Sequence, residues 1–421
     1  MATAQPVTGP APPEAAGPAH VGVVSFLAAR AAPTGGFWIA LAGGVALARV
    51  AERRGARLGF GASAAAMLET VAIIGPARFG VPLTQALSAP ILGRLHAREV
   101  GFWPQLAACA AVRLVHNAAT TAFFIWVIAG GLDAYAGTYD AIGRRVGIEV
   151  GTADAVVLTL VSLLVWAAFA STVQVLVYRR GLRGWGVFEP QQRAEADPSR
   201  RAVCVAENAT STHHPRRYDP RAITLSAIVA FVLLLASTEW ALLAAVAAWL
   251  ALAWYLAYAD SDQLPAGALF AAILALGAFV FALGGGLGLD VALRRAARAA
   301  LLVLAATWLR AAAGAEGLRE VSRRALGRLY WIPSATEASS VLDAIASERR
   351  LADAARSLVT LASEAPKRLQ PLLDAVLAWV VRESGSFRPV ARQRSLPLVA
   401  GPADWILVAS AALPFLAIAL G

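Results

Sequence analysis

Apolar positions in this chain form two long blocks, 36–178 and 222–311, cut by short polar breaks instead of alternating with polar positions. Within the second block, residues 229–236 and 240–249 carry no charge at all. A helix needs about 20 consecutive apolar residues to cross the hydrocarbon of a bilayer. The first block predicts helices near 36–51, 58–76, 104–130 and 154–178, with a shorter segment at 80–95 bounded by Pro82 and Pro90. The second predicts 222–238 and 240–259, separated by a tight turn at 237–240 because one helix of that length would overshoot the bilayer. Spans at 266–286 and 291–312 follow, and 405–419 makes a last one.

Residues 313–402 have another pattern. Leu369, Leu372, Leu373, Val376, Leu377 and Val380 recur at helical spacing and draw the apolar stripe of an amphipathic helix over 366–383, with Pro366 placed for its first turn and Gly385 for its end. Leu318, Val321, Ala325 and Leu329 make a shorter stripe. Ser334 and Glu337 form a capping box ahead of Val341, Leu342 and Ile345. These read as surface helices, not spans. The fold class is therefore all-α, a polytopic integral membrane protein of two helical membrane halves with a set of cytoplasmic amphipathic helices.

Composition supports that class: 58% of residues are hydrophobic and 15% charged. The net charge of +10 would point to nucleic acid in a soluble chain, but here the arginines gather between the apolar segments. That is the positive-inside arrangement, so the partner is the bilayer of a plasma (inner) membrane and not nucleic acid. Arg49, Arg53, Arg54 and Arg57 mark one cytoplasmic loop and Arg94 with Arg98 another, while 131–138 has no base and belongs outside. Two sets of charges fit poorly: Arg144 with Arg145, and Arg294, Arg295 and Arg298, which the alternation of spans puts on the outer side. Organisation reads as a Pro- and Ala-rich disordered tail at 1–20, a membrane domain at 21–178, an Arg- and Pro-rich cytoplasmic linker at 179–221, and a second membrane domain at 222–421 containing the helices of 313–402. The tail lacks the basic start of a cleavable signal. Cys109 and Cys204 are too few and too differently placed for a disulfide framework.

Charge inside the spans is costly and marks structure or function. Glu69 lies in an apolar run, and Arg113, His116 and Asn117 share one helix face at i, i+3, i+4. Glu69 is expected to pair with Arg113 or His116, either as an interhelical clamp or as a ligand or proton site. Ala62, Ala66 and Thr70, at spacing four, would permit close helix packing. No phosphate-binding Gly-x-x-x-x-Gly-Lys-Ser/Thr occurs, and the glycines of 284–288 follow an apolar helix and read as a helix break. No paired-cysteine cluster, His-Glu-x-x-His or Gly-x-Ser-x-Gly is present, and His213-His214 lacks further ligands. No cofactor, metal or catalytic residue is expected, and an enzyme reading would rest on Glu69 and His116 alone.

Tyr218-Asp219-Pro220-Arg221 running into an apolar span, and Asp404-Trp405 after the Arg- and Pro-containing stretch 392–402, resemble the two ends of the transmembrane coupling subunit of energy-coupling factor transporters, the EcfT and CbiQ family. The order of elements over residues 213–421 is similar as well: four spans, cytoplasmic helices, one terminal span. The resemblance implies a coupling component of an ATP-driven uptake transporter for a vitamin, cobalt, nickel or similar micronutrient, with ABC-type ATPase subunits as partners. A substrate-capture S subunit is a further partner in that family, and the first half is of similar size. In the family, coupling helices end in Ala-Arg-Gly or Ala-Arg-Ser and dock on the ATPases. By position, Arg349 or Arg350 would stand for the first such arginine and Arg382 for the second, while Arg356 and Arg392 match in letters but less well in place. None of these is followed by the family's glycine. The alternative is a membrane scaffold or stand-alone carrier whose cytoplasmic helices bind lipid or another protein.

Overall fold

The computed structural model describes residues 13–32, 35–78, 82–145, 147–194, 218–257, 259, 261–366, 368–389 and 400–415. The chain is an all-α polytopic membrane protein; no strand occurs among the described residues, and five of their helices are long and apolar enough to cross a bilayer. The first half comprises α1 (Pro13–Ala31), α2 (Gly36–Arg54), α3 (Ala56–Ile74), α4 (Pro82–Ala97), α5 (Phe102–Phe123) with a π-helical continuation over Phe124–Ala129, α6 (Leu132–Arg144) and the long α7 (Thr152–Ala194). The second half comprises α8 (Pro220–Ala236), α9 (Trp240–Leu256), α10 (Leu264–Gly284), α11 (Leu289–Arg328), α12 (Pro333–Ala344), α13 (Glu348–Glu364), α14 (Leu369–Ser386) and α15 (Pro402–Ala412). Gly55 alone joins α2 to α3, at a φ of 89° that a side chain would resist. The predicted spans of the second half agree with α8, α9, α10 and the start of α11 to within a few residues, and α11 runs on past the predicted end at 312 to Arg328. The last predicted span, 405–419, falls on α15 and the turn after it, and its residues 416–419 lie outside the described residues.

Side-chain pairs along α7 serve as a ruler. Thr159, near its start, bonds Tyr135 of α6 at 2.7 Å, and Gln174 accepts from Arg113 of α5 at 2.7 Å. Further on, Arg180 forks onto Asp374 of α14 at 2.8 and 2.9 Å, and Trp185 lies under Arg49 of α2 at 5.9 Å. At 1.5 Å per residue, Gln174 is about 33 Å and Trp185 about 50 Å from Thr152. The same measure holds on α11, where Asp290 accepts from Trp240 beside the α8–α9 turn at 2.8 Å and Arg310, about 30 Å along, reaches the end of α3. A hydrocarbon layer of about 30 Å is filled by the first parts of α7 and α11. There α7 exposes Val161, Val165 and Phe169, and α10 exposes Leu269, Ile273 and Leu276, rows that only lipid can cover without cost.

Toward the far end of α7, α1 and α2 with α12 to α14 build a helical pole rich in arginine, packed against α3. Here three expectations are corrected. The stretch 36–51 was expected to span, but Ile39, Leu41, Val45, Leu47 and Val50 of α2 are covered by α1, α3, α4, α7 and α14. An all-round apolar helix is satisfied by a protein shell as well as by lipid. Residues 13–20, expected in a disordered tail, open α1, whose Val21, Val24 and Phe26 are buried; residues 1–12 lie outside the described residues. Residues 179–194, expected as linker, continue α7, and 195–217 lie outside the described residues.

The amphipathic stripes are also covered from within. Leu373, Val376, Leu377 and Val380 of α14 join one core with α1, α2, Leu351 and Leu358 of α13, and Val341 and Leu342 of α12. Full burial of each such side chain stabilises by about 1.5–3 kcal/mol, so closure on the chain's own first half outweighs leaving the stripe open to water. α12 begins at Pro333 with Ile332 at its cap, and Glu337 is not in the expected capping box: its carboxylate pairs with Arg57 of the α2–α3 region at 2.9 Å.

Candidate functional site

The two halves are joined where α11 meets α3. Gly314, at φ 64° and ψ 165°, kinks α11 between its membrane part and its continuation into the basic pole. Arg310 precedes the kink and Arg319 follows it. Arg319 Nε donates to Glu69 Oε2 at 2.6 Å, its Nη2 donates to the other carboxylate oxygen, and Nη2 also reaches the Ala346 carbonyl at 3.0 Å. Arg310 Nε donates to the Ile73 carbonyl at 2.8 Å, one of the acceptors that the end of α3 leaves unpaired, and its Nη2 reaches Glu348 at the start of α13 at 2.7 Å. Glu69 is 1% exposed, so a planar fork that meets both of its oxygens is what keeps the burial of this charge tolerable. The expected partners Arg113 and His116 are therefore corrected: the carboxylate is taken by a helix of the other half, 250 residues away in sequence. Ala62, Ala66 and Thr70 lie buried on α3, as close packing requires.

Arg113 instead ties α5 to α7. Its Nη2 donates to Gln174 Oε1, which also lies 3.4 Å from Cys109 Sγ, and Gln174 Nε2 donates to Ser88 Oγ of α4 at 2.6 Å. No carboxylate among the described residues pairs with Arg113. His116 and Asn117 are half-buried on the same helix, and each lends a backbone carbonyl to Thr120 Oγ1 at 3.0 Å. The seam is an interhelical tie of amide, thiol, hydroxyl and guanidinium groups.

At the opposite pole the arginines that break the charge rule find partners. Arg294 pairs with Glu239 at 3.0 Å and with Asp290 at 2.7 Å. Arg295 donates to the carbonyls of Ala129 and Gly130, and Arg298 to that of Val127. The π-helical end of α5 leaves these carbonyls unpaired, and a helix C-terminus is partly negative, so the guanidiniums are held by backbone rather than placed by side preference.

The two short motifs of the second half meet. Asp404 Oδ1 accepts from the Asp219 backbone N–H at 2.7 Å, and its Oδ2 accepts from Gly401 N–H at 2.7 Å, so one carboxylate caps α15 and also binds the head of α8. Arg221 forks onto Asp219 at 3.1 and 2.9 Å. Burial pushes the Asp219 carboxyl up, but the Arg221 side chain and backbone N–H outweigh it and hold the group below the usual aspartate range.

Of the arginines proposed by position or letter, Arg349, Arg356 and Arg382 are exposed on the outer faces of α13 and α14, Arg350 is half-buried, and Arg392 lies outside the described residues. Arg356 pairs with Asp353 on its own helix. Among the described residues no three His, Cys, Asp or Glu side chains gather as metal ligands would. Comparison of the chain with family models, with curated proteins and with solved structures finds no match.

Proposed function

We propose that the protein is the membrane-embedded coupling component of an ATP-driven uptake system for a small micronutrient, moved by ATPase subunits that meet its basic pole. The observation that supports this reading most is α11. It runs from the membrane layer through Gly314 into the basic pole, and on either side of the kink a guanidinium grips that pole, Arg310 through Glu348 and Arg319 through Glu69. A displacement imposed on α13 would pass through two charge-assisted contacts into a membrane helix. Because the apolar stripe of α14 is already covered, the partner would engage the polar outer faces, where Arg349, Arg356 and Arg382 are exposed. That closed core also favours a second reading, a stand-alone carrier or scaffold complete without an ATPase.

Affinity purification of the tagged protein from its own membranes separates the two readings. Coupling predicts that ATPase subunits co-purify and that Arg349→Ala with Arg382→Ala lowers their recovery at unchanged abundance of the bait. Recovery that is absent, or untouched by the double substitution, removes the coupling role of these arginines.

A further inference from the structure

A cleft of about 220 Å³ opens at the basic pole between α2, the far part of α7 and the end of α14. Four arginines line it, Arg49, Arg53 and Arg54 from α2 and Arg388 just beyond α14, against a single carboxylate, Glu14 of α1. Glu14 is engaged by Arg54, and Glu52 engages Arg49, whose Nε is buried with no partner. No carboxylate among the described residues pairs with Arg388. Two aromatic rings complete the walls. Trp185 stacks beneath the Arg49 guanidinium, and Phe387 is held by a 4.3 Å stack on His20.

We propose that this cleft binds a small phosphate-bearing anion drawn from the aqueous phase. Planar guanidiniums present paired donors that match phosphate oxygens, and four of them against the carboxylates of Glu14 and Glu52 leave the cleft with a net positive formal charge. The carbonyls ending α14 oppose an anion by about half a charge, less than any one of the arginines. Volume sets the ligand class. Drug-sized ligands occupy about 300–1,000 Å³, so the cleft suits orthophosphate or a small phosphomonoester and is too small for a nucleoside triphosphate. Position favours a free anion over a lipid headgroup: Trp185 is about 50 Å along α7 from Thr152, past the about 40–45 Å that a bilayer occupies with its headgroups. Bound there, the anion joins α2 to the end of α14 two turns from the exposed Arg382. This site is independent of the coupling reading.

Binding of radiolabelled orthophosphate to the full-length protein in phosphatidylcholine nanodiscs tests it. Saturable binding that weakens with added salt is expected, with Arg388→Ala reducing affinity about tenfold. Arg356→Ala, the same charge change on the outer face of α13, should leave affinity unchanged. Arg388 lies in an exposed non-helical segment, so its substitution spares the fold; Arg49→Lys, which keeps the charge and removes the fork, should also weaken binding. No saturable binding, or equal effects of Arg388→Ala and Arg356→Ala, overturns the proposal. Phosphate affinity that is the same in phosphatidylglycerol nanodiscs supports the aqueous source, whereas its loss there means a headgroup occupies the cleft and overturns that source.

Discussion

Glu69 shows what a single charged residue does in an apolar helix. It stands out in sequence because nothing around it is polar, and its burial obliges a partner. The partner, Arg319, is one arginine among many in the basic stretch after 313, and no periodicity relates two positions 250 residues apart. Removing only one member strands the other. Glu69→Leu should therefore destabilise by about 3–5 kcal/mol, seen as a lower monodisperse fraction and melting temperature in detergent, while adding Arg319→Met should recover most of the loss. A single variant as stable as the parent would show that the pair is not a clamp. Arg113, His116 and Asn117 were legible as one helix face, but Arg113 on that face meets Gln174 of α7 rather than Glu69 of α3.

At the scale of elements, the apolar runs located α8 to α10 and the start of α11 closely because each is bounded by charge or by a turn residue. The kink in α11 was not among the expectations, although the run of small residues about Gly314 holds the one position able to make it. Its backbone, with φ 64° and ψ 165°, lies in a region that is essentially reserved for glycine. Gly314→Ala is expected to cost about 1–3 kcal/mol of stability, read as a lower midpoint in thermal unfolding of the solubilised protein. An unchanged midpoint would mean that the two parts of α11 are not held at this angle by the flanking ion pairs. The stripes over 318–329 and 369–380 fall on the end of α11 and on α14, as helical periodicity requires. What covers them was not readable, since a stripe states only that one face avoids water and leaves open whether another protein, lipid or a distant part of the same chain supplies the cover.

The whole molecule has two poles. One collects Arg49, Arg53, Arg54, Arg180 and the outer faces of α13 and α14; the other holds the α8–α9 turn, the glycines at 130–131 and the start of α11. The Arg180–Asp374 fork puts the end of α7 and the helices after 313 on the same side. By the positive-inside rule the arginine-rich pole is expected to be cytoplasmic. Single cysteines at Ser363 and Ser386, in a background with Cys109 and Cys204 replaced, should react with an impermeant reagent only after the membrane is opened. A cysteine at Thr238 should react in intact cells. Labelling of Ser363 and Ser386 from outside would invert the orientation.

Sequence by itself determined the class of this protein, because the free-energy cost of polar groups in hydrocarbon is local and additive and leaves its record in every span. It also determined the amphipathic character of 366–383 and the singularity of Glu69. Tertiary structure decided what covers the apolar residues of each helix: those of α2 are covered by five other helices, whereas α10 leaves Leu269, Ile273 and Leu276 exposed. It decided that Glu69 meets Arg319, that Asp404 ties the start of α15 to the head of α8, and that arginines 294, 295 and 298 answer to a carboxylate and to helix-end carbonyls before they answer to membrane sidedness. Each of these depends on contacts between residues remote in the chain, and a contact has an energy only once folding has brought its two groups together.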